Sequence, residues 1–243
     1  MNRMYAGASI QDLTSSIYGI EFELETKWPQ LCGDSATQLA AVSLAWGGMS
    51  NGSIVSTHWI QVGYENRSFE DSLGWHYYHK VAYLEMSPNL VGGSRPYRHS
   101  VVGFGGDSSE VFPAEGDSLR YKVEFSEIAD RWLVLIVSLK NPADTLVIWG
   151  DNGAFDPDQL TFVSWMGEIT HYESDMVGAL QDSCTFANCF YRNKGCSGFT
   201  GAEFVEGDRV FSDSLQWGAA THNEYLLRND IDIWDYNRQT RTR

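Results

Sequence analysis

Basic residues are scarce in this chain: 17 Lys and Arg stand against 32 Asp and Glu, which gives a formal net charge of −15. Such a charge repels a nucleic-acid backbone or an anionic membrane surface, so neither is expected as the main partner. No run of about 18 apolar residues is present, so we expect no membrane insertion. The acidic composition suits a protein that works in acid, where some of the carboxylates are neutral.

A secretory signal peptide is also lacking, because residues 1–10, MNRMYAGASI, have no apolar central region. The chain is therefore interpreted either as cytoplasmic or as a mature form from which a leader has been removed. Of these two, we expect the second, a secreted or extracellular protein.

Cysteine is sparse, and the motifs that bind zinc are missing. The four cysteines are Cys32, Cys184, Cys189 and Cys196, with three of them inside thirteen positions of a stretch rich in Asn, Gly and Ser. No CxxC pair is present and no histidine lies within a few residues, so no metal site and no cofactor are predicted. The even number instead predicts disulfides, one local to the cluster and one from Cys32 to it, with the pairing left open.

Segments with helical periodicity are few, and prolines number only 6. Aromatic residues make up 14% of the chain and fall, with β-branched residues, in short runs between Gly, Ser, Asp and Asn clusters. We therefore predict one all-β domain, an antiparallel β-sandwich of jelly-roll, concanavalin-like type with about nine or ten strands. The domain is expected over residues 17–234, between an N-terminal arm at 1–16 and a polar tail at 235–243.

One carboxylate stands in an apolar strand-like run. The run is residues 161–170, TFVSWMGEIT, and the carboxylate is Glu168. Alternation places Glu168 on the same face as Ser164 and Met166. A carboxylate among apolar neighbours needs a partner, a hydrogen bond or a chemical task, because burial disfavours its charged form. The plain alternative is a strand-end glutamate that faces water.

A second polar residue, Gln61, lies in a similar setting in residues 58–65, HWIQVGYE. Alternation places Trp59, Gln61 and Gly63 on one face, and the more apolar opposite face is predicted to be the core. Gly63 has no side chain and leaves room for something to approach. The aromatic strand that follows carries Tyr77 on one of its two faces.

Several ordered segments resemble the glutamic peptidases. They are residues 45–52 (AWGGMSNG), 59–65 (WIQVGYE), 77–85 (YYHKVAYLE), 115–125 (EGDSLRYKVEF) and 164–178 (SWMGEITHYESDMVG). Fungal eqolisins have a Trp-Gly segment, a Leu-Gln-Thr-Gly strand, an aromatic strand, a Gly-Asp-Ser strand opening and a strand with the catalytic Glu, in that order. The plant neprosin family is similar at residues 60–64 and 165–169.

This resemblance implies an acid-acting endopeptidase with a polypeptide substrate and no cofactor. Position by position, Glu168 takes the place of the general acid/base that acts on a water molecule. Gln61 takes the place of the residue that stabilises the oxyanion. Trp46 is expected near the substrate cleft, with Trp59 and Tyr77 as further substrate-binding aromatic residues.

Two other functions stay open at this point. Jelly rolls often bind glycans on aromatic platforms, which residues such as Trp59 and Tyr77 could supply. A glycosidase would need two carboxyls across the scissile bond, and Glu65, Glu85 and Glu168 are formal candidates. The third function is a non-catalytic surface or assembly protein that keeps the fold.

Overall fold

The computed structural model of the chain describes residues 2–11, 14–26, 42–52, 58–70, 76–87, 97–101, 114–143, 145–151, 156–171, 184–203, 209–211, 219–221 and 231–234. These ranges contain fifteen β-strands in two antiparallel sheets, together with one short 3-10 turn, Pro157–Gln159. The predicted all-β antiparallel sandwich is thus confirmed. Within the same ranges, no helix has the length and apolar character needed to cross a membrane.

The first sheet, sheet A, has seven strands in the spatial order β13-β1-β10-β3-β4-β5-β6. Their bounds are β1 (Asn2–Gln11), β3 (Val42–Ser50), β4 (Trp59–Glu70), β5 (His76–Ser87), β6 (Tyr97–Val101), β10 (Phe162–His171) and β13 (Arg209–Phe211). In sheet B the order is β14-β15-β11-β2-β7-β8-β9, with β12 beside β11. The bounds are β2 (Ile17–Glu25), β7 (Ser118–Ser126), β8 (Arg131–Ser138), β9 (Thr145–Asp151), β11 (Cys184–Asn193), β12 (Thr200–Gly201), β14 (Ala219–Thr221) and β15 (Ile231–Trp234).

The core lies between the two sheets and follows the alternation of the strands. In β7 and β8 every second residue is buried, as the period of two requires for strands with one wet face. Phe22 of β2 stacks on Tyr121 of β7, with ring centroids 5.2 Å apart. From sheet A, Trp165 and Val62 enter the same core. The sandwich therefore forms because each sheet presents one continuous apolar face to the other.

The N-terminal arm predicted at residues 1–16 contains β1. This strand pairs with β10 along its whole length, from Asn2 opposite His171 to Gln11 opposite Phe162. Close packing of the two strands depends on Gly7, because a Cβ built there would lie 2.1 Å from the carbonyl oxygen of Trp165. The segment has no clear period of its own, and its place in the sheet comes from the partner strand. The polar tail predicted at 235–243 lies outside the described residues.

Cys189 is buried and Cys196 is exposed, and neither is in a disulfide. The predicted local bridge within the cluster is therefore wrong for these two residues. The physical reason is that residues 184–193 form the extended strand β11, which rises about 13 Å from Cys189 to Asn193. Cys196 lies in the turn after the strand, where its N–H donates to the Asn193 carbonyl, so its Cα is farther from Cys189 than the separation of about 7 Å that a disulfide can bridge. Cys32 and the side chain of Cys184 lie outside the described part of the chain.

Gly63 has no room for a side chain, because the neighbouring strand occupies the space. A Cβ at this position would lie 2.0 Å from the Ala45 carbonyl oxygen and 2.7 Å from the Trp46 Cα. The close approach expected at this glycine is therefore made by the backbone of β3.

Replacing Gly63 with alanine is expected to lower the free energy of unfolding by about 3 kcal/mol, because β3 and β4 must move apart. Denaturant unfolding measures this loss. Gly198→Ala is the matched control, since a Cβ there meets nothing within 4 Å. Equal stability of the two variants would contradict the strand contact.

A polar cluster at one end of the sandwich joins β2, the 3-10 turn and the residue that follows β11. The hydroxyl of Tyr18 donates to the Asp158 carboxylate, and Lys194 Nζ lies 2.8 and 2.7 Å from its two oxygens. The bonds from Lys194 and Tyr18 hold the pKa of Asp158 below its usual 3.8. Burial and the bond to Asp158 raise the pKa of Tyr18 to about 12.

These shifts predict how the cluster responds to pH. Because the folded pKa of Asp158 is lowered, its stabilisation is present above pH 3.8 and is lost only as the pH falls through the lowered value. The raised pKa of Tyr18 means that its contribution is present below about pH 10 and is lost as the pH rises through about 12. Thermal unfolding of wild type, Asp158→Asn and Tyr18→Phe across these pH ranges checks both the loss of stability in acid and the loss in alkali. The differences should be small, since Asp158 and Lys194 are about half exposed.

Candidate functional site

The outer face of sheet A is the face turned away from sheet B, and it carries the polar residues singled out in the sequence. On β4 the residues Ile60, Val62 and Tyr64 belong to the core, so Gln61 between them points outward. On β10 the core residues Val163 and Trp165 likewise leave Glu168 on the outer side. Gln61 and Glu168 therefore share one face of sheet A.

Cross-strand pairing arranges the outer face in rows of directly opposed residues. The Gln61 row is Ser164, Gly48, Gln61 and Glu85; the Trp46 row is Met166, Trp46, Gly63 and Tyr83; and the Glu168 row is Glu168, Leu44 and Glu65. The Trp46 row lies between the other two.

Glu168 is withdrawn from solvent, with 5% of its surface exposed. The indole Nε1 of Trp46, also buried, donates a hydrogen bond of 3.0 Å to Glu168 Oε2. A hydrogen bond to a charged acceptor offsets part of the desolvation cost of a buried carboxylate. The alternative of a strand-end glutamate that faces water therefore does not hold.

Gln61 is half-buried and uses its amide nitrogen within the sheet. Its Nε2 donates to the hydroxyl of Tyr83 at 3.2 Å and to Glu85 Oε2 at 3.3 Å. Tyr83 is fully buried, with 0% exposed. Since an amide nitrogen carries two hydrogens, both donors of Gln61 are engaged by β5 in this arrangement.

The two predicted catalytic residues face the same way but are not neighbours. They lie two strands apart and four residues out of register. That offset separates their Cα atoms by about 17 Å on a flat sheet, with the Trp46 Cα about 8 Å from each. A single water molecule does not span this distance.

The predicted aromatic residues divide into two groups. Trp46 touches Glu168, and partly exposed Trp59 lies two residues from Gln61 on the same face. Tyr77 pairs with Phe69 and lies eight residues from Glu85 along β5, about 27 Å away. The structure therefore does not bring Tyr77 to the other candidates; its side chain lies outside the described residues.

Three residues besides the predicted catalytic pair, Gln61 and Glu168, complete the site. Tyr83 and Glu85 bind the Gln61 amide, and Glu65, with 1% exposed, shares a row with Glu168. Alternation places Tyr83 and Glu85 on a single face of β5. Only the register between strands shows which residue lies opposite which.

The outer face thus combines a buried carboxylate held by an indole, an amide held by β5 and a second buried carboxylate. These are groups for hydrogen bonding and for moving protons. Among the described residues no group of three or more His, Cys, Asp and Glu side chains is placed to hold a metal ion. No model of a known protein family matches the chain, and no curated protein matches its sequence.

Proposed function

We propose that the outer face of sheet A hydrolyses polypeptides at acidic pH, with Glu168 as general acid/base and Gln61 as the donor to the oxyanion. The observation that supports this most is the hydrogen bond from Trp46 to a nearly buried Glu168, on the face that also carries Gln61. Buried carboxylates are costly, and those that persist in a hydrogen-bonded setting are frequently functional.

In the proposed reaction the scissile carbonyl lies over Trp46. Glu168, as a carboxylate, takes a proton from a water molecule while the water oxygen bonds to the carbonyl carbon. The Gln61 amide donates to the carbonyl oxygen as it becomes negative. Glu168 then returns the proton to the leaving nitrogen as the C–N bond breaks, so no covalent intermediate with the protein forms.

The acidic working range is compatible with the rest of the molecule. Asp158 belongs to the cluster that ties β2 to the residue after β11. Because its pKa is lowered, Asp158 stays ionised at pH values at which an aspartate usually becomes protonated. The sandwich therefore retains this contact in mild acid, where a glutamate can exchange a proton with water.

Digestion of a denatured protein at about pH 4 tests the proposal directly, since a carboxyl acid/base acts best near its own pKa. Cleavage should persist in inhibitors of serine, cysteine and metallopeptidases, because none of those groups takes part. Absence of cleavage by the wild-type chain across the acidic range would reject the proposal.

Trp46→Phe isolates the role of the indole. The substitution keeps an aromatic ring and removes the N–H that orients Glu168, so kcat should fall about tenfold, the equivalent of one hydrogen bond. Steady-state kinetics at about pH 4 measure the effect, with KM expected to change little. A loss confined to KM would show that Trp46 binds substrate and does not orient Glu168.

Glycoside cleavage is the second candidate, and a specific observation favours it. Glu65 and Glu168 are both buried and lie in one row, two strands apart, with Leu44 between them. Their Cα atoms are about 10 Å apart, compatible with the carboxyl separation of about 6.5–9.5 Å in inverting glycosidases.

Glu65→Gln separates the two candidates. A glycosidase that uses the pair would lose about 10²–10⁴ in rate, because one of its two acid/base groups is gone. A peptidase that uses Glu168 and Gln61 would keep most of its activity. Reducing-end release from a panel of polysaccharides and release of peptides from a denatured protein provide the two readouts.

A further inference from the structure

The two bonds of the Gln61 amide limit what this residue can do. An oxyanion donor must point an N–H at the substrate, yet Nε2 donates to Tyr83 and Glu85 on β5. An ionised carboxylate can only accept hydrogen bonds, so ionised Glu85 holds the nitrogen side of the amide toward itself. In that state Gln61 presents its oxygen, and not its nitrogen, to a ligand.

We infer that Glu85 is a positioning residue that sets the orientation of the Gln61 amide, so that protonation of Glu85 releases Nε2 toward the substrate. The inference rests on the proposed function for its catalytic meaning. The orientation itself follows from the chemistry of the three side chains and can be tested without any substrate.

The reoriented state keeps two hydrogen bonds among Gln61, Tyr83 and Glu85. A protonated Glu85 carries an O–H that can donate to Gln61 Oε1 after the amide turns by half a revolution. The Tyr83 hydroxyl is both a donor and an acceptor, and it can donate to the same oxygen after rotating about its C–O bond. Gln61, Tyr83 and Glu85 make two hydrogen bonds with one another in either orientation, so protonation of Glu85 shifts the balance between the two orientations.

The groups around Glu85 show which ionisation matters. On β4 its opposite residue is the uncharged Gln61, and the next acidic residue on that face is Glu65, four positions along. On β5 the neighbour on the same face is Tyr83, and on β6 the register partner of Glu85 is Arg98. On β3 the row continues with Gly48, and on β10 with Ser164. Glu85 is therefore the acid-titrating group that contacts the amide directly.

The orientation is measured by NMR on the side-chain NH2 resonances of the chain labelled with 15N-glutamine. The resonances of Gln61 are those that disappear in Gln61→Ala. Lowering the pH from neutral to about 3 should shift the Gln61 resonances in one titration step, as the amide turns. In Glu85→Gln the step should be absent, because residue 85 no longer ionises. Glu115→Gln, an exposed substitution before β7, is the matched control and should titrate like wild type.

The rate of polypeptide cleavage provides a second test of the inference. At neutral pH, Glu85→Gln should cleave a denatured protein about tenfold faster than wild type, because Gln61 is no longer held by a charge, while the rates in acid should agree. Gln61 resonances that titrate equally in Glu85→Gln and wild type, or not at all in wild type, would overturn the inference. If they titrate as expected and no variant cleaves any polypeptide, the proposed function fails and the control of the amide by Glu85 stands.

Discussion

Glu168→Gln is expected to lower kcat/KM for a denatured polypeptide by about 10³–10⁴, because the amide cannot take a proton from water or return it to the leaving nitrogen. The packing around residue 168 should survive, since glutamine has nearly the same shape and still accepts a hydrogen bond from Trp46. Initial rates at about pH 4 measure the loss. Gln61→Ala should cost about 10²–10³, the usual effect of removing one oxyanion donor.

The loss of activity in Glu168→Gln and Gln61→Ala can be assigned to catalysis only if both variants fold like wild type. Circular dichroism and thermal unfolding of each variant should match wild type closely. Glu168→Gln should not destabilise the fold, because it removes a charge that is costly to bury. Glu115→Gln changes a carboxylate in an exposed turn and should leave the rate unchanged. A Glu168→Gln variant that keeps more than about a tenth of wild-type activity is incompatible with general acid/base catalysis by this residue.

Arg192→Met is expected to lower the free energy of unfolding by about 3 kcal/mol, as much as Gly63→Ala, because it removes a buried cation that binds several groups. The guanidinium donates to the Phe125 carbonyl at 2.6 Å and to the Cys196 carbonyl at 3.0 Å, and its Nε lies 3.1 Å from Glu124. Methionine fills much of the space but removes the donors to the Phe125 and Cys196 carbonyls, while Glu124 keeps Lys122 at 2.7 Å. Urea unfolding measures the change.

Arg120→Met is the matched control on the same sheet. Arg120 also pairs with a glutamate, Glu23, at 2.7 Å, but 47% of its side chain is exposed against 7% for Arg192. An exposed pair contributes less than about 1 kcal/mol, because water solvates both charges after the substitution. Similar losses in the two variants would show that burial is not what makes Arg192 important.

The faces of the strands could be predicted from the sequence with good accuracy. Residues 17–25, IYGIEFELE, alternate so that Ile20, Phe22 and Leu24 share one face, and all three are buried in the core. The same rule placed Gln61 on the face opposite the predicted core. It succeeds because successive side chains of an extended strand point to opposite sides whatever the strand pairs with.

Which residues meet on the outer face could not be predicted in this way. Glu168 contacts Trp46, which is 122 positions earlier in the chain, and Gln61 is bound by Glu85 of the following strand. A shift of register by two residues would keep every side chain on its face and change every one of these partners. The spacing of Gln61 and Glu168 is likewise a property of the sheet.

The sequence by itself therefore determined the all-β sandwich and the side of β4 on which Gln61 lies, because both follow from a local period of two. The tertiary structure decided that β1 joins sheet A, that Cys189 and Cys196 stay apart, and that the outer-face polar residues form rows around Trp46. These features depend on hydrogen-bonded pairing between strands that are distant in the chain, and the local pattern of one strand carries no information about the register of its partner.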